Sequence, residues 1–147
     1  MRISTLLFGL GATLAASSAG AQCRGADDMA TRMVAKYSGM MRESQTDGAL
    51  QGITLRQLGL SQVAPASVVL VTDRTICAKA ERAYSGALRG TTTLTPSGSV
   101  YVVKVGTDYV VRDPAARAGD YYIEMVLDSA FKLKSRYMAS KIGRAHV

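Results

Sequence analysis

Apolar residues recur at spacings of three and four between Ile76 and Leu88, taking in Cys77, Ala80, Ala83, Tyr84 and Ala87. Lys79, Glu81, Arg82 and Arg89 fall elsewhere around the turn, so the stretch reads as a helix with one buried stripe. Just before it, Val68 to Val71 form a short β-branched-rich run with the character of a buried strand. Thr72 or Asp73 supplies the side-chain oxygen that caps the helix, and Gly90 ends it. This strand-helix unit is the centre around which the rest is read.

A second helical stripe runs through Met29, Ala30, Met33, Val34, Tyr37, Met40 and Met41, opened by Asp27 and Asp28 at the positive end of its dipole. Four methionines on one face suit either core filling between helix and sheet or an adaptable groove, and core filling is favoured. Residues 43–66 read as connection, with a turn at Asp47-Gly48 and a capping box at Thr54-Leu55-Arg56-Gln57 over a helical turn that stops at Gly59. Thr91 to Thr95 has the composition of an edge strand. Val100 to Val105 and Tyr109 to Arg112 make a hairpin around Gly106-Thr107-Asp108, and Asp113-Pro114 closes its second strand. Tyr121 to Leu127 alternates as a half-buried strand, and Phe131, Leu133 and Tyr137 alternate with Lys132, Lys134 and Arg136. The expected fold is α+β, a two-layer sandwich in which an antiparallel β-meander of about four or five strands is packed by two amphipathic helices on one face.

Both ends change the picture. Residues 1–21 carry a positive start at Arg2, an apolar middle and the small-residue ending Ala19-Gly20-Ala21, the pattern of a signal peptide cleaved after Ala21. A lipoprotein reading at Cys23 is disfavoured by Gln22 before it. Residues 141–147 match a translated sequencing adapter, Ile142 to Val147 in particular, and are expected to be an artefact with no functional role. His146, the chain's one histidine, falls in that tail. Residues 22–140 then form a single domain.

The formal net charge of the whole chain is +7. Setting aside Arg2, Lys141 and Arg144 leaves 15 of the 18 basic residues against 11 acidic ones, or +4. The basic residues are scattered rather than clustered with aromatics, so no nucleic-acid partner is expected. No stretch is long and apolar enough for a transmembrane segment. In an oxidising compartment, secreted or periplasmic, Cys23 and Cys77 are expected to form a disulfide bond. With no further cysteine and no histidine outside the tail, neither a metal site nor a cofactor is expected.

Candidate chemistry is sparse. Ser129-x-x-Lys132 spells a serine acyl-enzyme motif but crosses a turn into a strand, where chance explains it. Asp73, Glu81, Asp120, Glu124 and Asp128 are the acids a carboxylate-pair mechanism would draw on, each with a plausible structural role instead. Tyr101, Tyr109, Tyr121 and Tyr122 form a possible ligand or partner surface on the sheet. Lys132, Lys134 and Arg136 form a basic stripe that either binds anions or guards an edge strand. The expectation is a small exported bacterial protein, a non-catalytic binding or accessory module for a protein, peptide or small ligand. The alternatives are a small hydrolase using sheet carboxylates and an envelope-associated structural protein.

Overall fold

The computed structural model describes residues 23–46, 54–140 and 145–146. Residues 1–21, read above as a signal peptide, the expected Asp47-Gly48 turn and most of residues 141–147 lie outside the described residues. Helix α1 (Asp28–Thr46) is followed by a helical turn at 54–58, a 3-10 turn (Pro65–Ser67) and strand β1 (Val68–Leu70). Helix α2 (Arg74–Thr91) then leads into β2 (Tyr101–Val105), β3 (Asp108–Ala118), β4 (Tyr121–Leu127), β5 (Leu133–Ser140) and the two-residue β6 (Ala145–His146). The strands pair antiparallel in chain order, so the α+β meander packed by two helices stands as expected.

Local signals act where the chain places them. Asp73 caps α2 by accepting from the Ile76 N–H at 3.0 Å, and Asp27 does the same for α1 through Ala30. The 54–58 turn ends at Gly59, whose φ is +82°. The β2–β3 hairpin closes on Gly106-Thr107 alone, since Val105 pairs with Asp108. Gly106 has φ +64° and sits against Val63, leaving no room for a Cβ. Thr91 to Thr95 is not a strand: α2 runs through Thr91, and the chain then loops to Val100.

The helices take opposite faces of the sheet rather than sharing one. Val103, Val105, Val110 and Val126 pack with Met33, Tyr37 and Met41 of α1. Their immediate neighbours Val102, Val111 and Met125 pack with Cys77, Ala80, Tyr84 and Leu88 of α2. Because successive strand residues point to opposite sides, each face of the central strands buries its own apolar set. β4 is therefore buried along both faces instead of half-buried, with only Tyr121 exposed. The signal was present in Val-Tyr-Val-Val and Tyr-Val-Val, consecutive apolar runs of the kind found where both faces of a sheet are covered.

The Cys23–Cys77 disulfide is formed, with Cα atoms 5.3 Å apart across a sequence separation of 54. Cys23 also bridges to Val100, so the bond ties the segment preceding α1 to α2 and the sheet beneath it. Among the described residues no helix is long and apolar enough to cross a membrane.

Candidate functional site

The feature that sets the site is an irregularity in β3. Arg117 pairs with Tyr122, and an unbroken ladder from there would set Arg112 opposite Leu127; instead the register shifts and Arg112 pairs with Glu124. Pro114, which has no N–H to give a ladder, lies inside the shifted segment. Asp113, fully buried, holds that segment by accepting from the Ser97 N–H at 2.7 Å, the Ser97 hydroxyl at 2.8 Å and the Ala115 N–H at 2.9 Å. The strand thus continues past Asp113-Pro114, where an end was expected, because side-chain bonds replace the ladder.

The shift completes a row across four strands. Tyr101 pairs with Arg112, Arg112 with Glu124, and Glu124 with Tyr137, all on the face that α1 covers. From α1, Lys36 and Tyr37 reach the same carboxylate. Oε1 of Glu124 accepts from Lys36 Nζ at 3.2 Å and from the Tyr37 hydroxyl. Oε2 accepts from Arg112 Nε at 2.7 Å and from its Nη2. The Tyr37 oxygen, its proton directed to Glu124, accepts from the Tyr137 hydroxyl at 2.6 Å. The Glu124 side chain is wholly buried, and those of Lys36 and Arg112 keep 5% of their surface. Arg112 also lies over the Tyr122 ring, 4.6 Å from its centroid, with Arg117 at 5.6 Å.

Charge behaviour follows from two cations sharing one anion. Burial alone would raise Glu124, but Lys36 and Arg112, then bonds from Tyr37 and Arg112, hold its carboxyl below the usual range. Lys36 moves down for the complementary reason: burial lowers it, Glu124 opposes, and Arg112 lowers it again. Burial first, and the Glu124 charge next, push Tyr37 and Tyr137 well above the ordinary phenol range, so both are neutral donors. A cleft of about 310 Å³ opens onto this cluster, lined by Asp27, Asp28, Met29, Arg32, Met33, Lys36 and Arg112. At its lip Asp28 pairs with Arg32 at 2.8 Å, while Asp27 accepts from Tyr101 and Ala30.

The residues singled out from the sequence are dispersed. Tyr101 is buried beneath α1, whereas Tyr109 lies on the opposite face, stacked on Phe131 with centroids 5.1 Å apart. Tyr122 is buried under the two arginines and Tyr121 is exposed. Phe131 and Lys132 precede β5, which begins at Leu133. Phe131 has φ +63° in a turn held by Asp128, so the strand alternation read from Phe131 starts only later. Lys134 pairs with Asp108 at 3.0 Å and Arg136 donates to Thr91, so two of the three basic residues have partners in the fold. Among the acids, Asp73 is the α2 cap, Glu81 accepts from Ser85 at 2.5 Å, and Asp128 accepts from the Ala130 and Lys132 N–H groups. Arg112 was missed as a site residue because a strand-register shift, invisible in periodicity, sets it opposite Glu124, and Lys36 and Tyr37 because the packing of α1 across the sheet brings them to the same carboxylate.

No family model, curated protein or solved structure matches this chain.

Proposed function

We propose that this chain is a small exported, disulfide-stapled binding or accessory module, non-catalytic, whose ligand seat is the cleft between α1 and the sheet. One observation carries the reading: a cleft of about 310 Å³ ends on two nearly buried cations, Lys36 and Arg112, held by one fully buried carboxylate. A few convergent polar groups against an apolar wall, here Met29 and Met33, are the usual make-up of a small-molecule site. Glu124 is surrounded by four donor contacts, which suits a fixed positioning anion better than an acid or base that must exchange protons. Export is supported by the signal-like residues 1–21 and by a disulfide of the kind that persists in secreted or periplasmic proteins.

The test is an amide chemical-shift survey of the oxidised protein with a mixed collection of small acids, amines and neutral molecules. Shifts confined to Met29 through Lys36 and to Arg112 are expected. Shifts centred on Tyr109, Tyr121 or the Lys132–Arg136 strand, or turnover of any member, overturn the reading.

A further inference from the structure

We propose that the cleft binds a short-chain monocarboxylate, its carboxylate received by Arg112 and Lys36 and its hydrocarbon tail laid along Met29 and Met33. This rests on the cleft being the ligand seat and adds the chemistry of the ligand. The cluster under the cleft holds two cations and one anion, all with side chains at least nine-tenths buried, so one positive charge is left over. An unmatched charge out of water is costly, and an anion entering from the cleft would match it. The neighbouring groups do not supply that anion. Tyr37 donates to Glu124 and Tyr137 bonds to Tyr37, both as neutral hydroxyls, Asp28 is paired with Arg32, and Asp27, which accepts from Tyr101 and Ala30, has Arg24 as its charged neighbour.

Donor capacity is also in surplus. Arg112 engages Glu124 through Nε and Nη2, yet a guanidinium carries five N–H donors; Lys36 makes one bond to Glu124 out of three donors. Both residues line the cleft, so a ligand seated there would lie against the two side chains that carry this surplus. With Asp28 and Arg32 paired at the lip, the one positive charge left over in the cluster matches a singly charged carboxylate and not a doubly charged phosphate, and the methionine wall rewards an apolar tail. A volume of about 310 Å³ admits a chain of a few carbons but not a long acyl group.

The experiment compares hexanoate, hexanol, hexylamine and inorganic phosphate by calorimetry and thermal shift on the oxidised protein. Hexanoate is expected to bind at least tenfold tighter than the other three and to raise the melting temperature. Lys36→Met, which leaves Arg112 and Glu124 matched, is expected to lose hexanoate binding at least tenfold without melting lower in the unliganded state. If hexanol binds as well as hexanoate, the acid proposal fails while the cleft keeps its role. If none of the four binds, both fail. Phosphate binding tighter than hexanoate overturns the monocarboxylate assignment, as does undiminished hexanoate binding by Lys36→Met. Should that variant not fold, the side-chain resonances of Lys36 and Arg112 in the unaltered protein decide: they shift with hexanoate, or the proposal is wrong.

Discussion

The two faces of one sheet are built on different principles, although their residues alternate along the same strands. Beneath α2 the contacts are mostly apolar, with Leu88, Val102, Val111 and Met125 all fully buried; the Tyr84 hydroxyl donates to the Ile123 carbonyl at 2.6 Å, and the buried Asp113 beside it is satisfied by Ser97 and Ala115 without a cation. Beneath α1 an equally buried layer encloses Lys36, Arg112 and Glu124 together with three tyrosines, Tyr37, Tyr101 and Tyr137. Apolar packing degrades in proportion to what is removed, because each lost methylene forfeits a small increment. A buried ionic cluster answers unevenly, because removing the shared anion strands the cations that it solvates, whereas removing the surplus cation leaves a matched pair. The α2 face is therefore suited to holding the fold, and the α1 face to holding a specific arrangement that opens on a cleft.

The largest expected effect breaks the cluster. Glu124→Gln strands two buried cations and should cost about 3–5 kcal/mol, measured by urea unfolding followed by far-UV circular dichroism. Replacing all three charges together, Lys36→Met, Arg112→Leu and Glu124→Leu, should cost much less than Glu124→Gln alone, since an apolar replacement of a whole buried cluster is often neutral. A loss below about 1 kcal/mol for Glu124→Gln would mean that water reaches the cluster freely, and the contrast between the faces would collapse.

Next in size is the disulfide, which acts on the α2 side and mainly through the unfolded chain. Cys23→Ser with Cys77→Ser releases a loop with a sequence separation of 54, for which chain entropy gives a stability loss of about 4 kcal/mol before native-state adjustments reduce it toward about 2. Because the staple lies with the α2 cluster, the amide spectrum of Met29 to Lys36 should be unchanged in the folded double variant. A spectrum altered there would show that the two faces are not independent.

What was legible in the sequence follows the same division. The α2 stripe, its Asp73 cap, the limits of β4 and the Cys23–Cys77 bond rest on local periodicity, cap chemistry and cysteine count, all properties of neighbouring residues or of a pair with no competitor. The assignment of one helix to each face was not read, although the continuous apolar runs of β2 and β3 carried that information. The candidate site was hidden for a different reason. Glu124 was noted as an acid and Tyr101 as a surface aromatic, but their shared row exists because the Asp113–Ala116 irregularity moves Arg112 from Leu127 to Glu124. A hairpin read as three residues instead of two likewise misplaces Tyr101 against Arg112. Pairing across strands is set by such counts, and single-strand patterns do not contain them.

The smallest effect is the most specific to the α1 face, because it reports the excess charge itself. Lys36 is held below its ordinary value of 10.5, by burial first and by Arg112 against the opposing pull of Glu124. Between the folded value and 10.5 the unfolded chain keeps a proton that the folded protein has released, so raising the pH stabilises the fold. Tyr37 and Tyr137 work in the opposite sense above 10.0, where the unfolded chain loses protons that the buried phenols retain, so stability falls beyond that point. Paired thermal melts of the unaltered protein and Lys36→Met from about pH 8 to about pH 10 separate the two, since the tyrosines are common to both proteins. Lys36→Met should begin at or above the unaltered protein, and the gap should close as the pH rises and Lys36 sheds its charge. A gap that stays constant would mean that the positive charge at Lys36 is already balanced inside the fold. The two faces would then differ in composition but not in their need for a partner from outside.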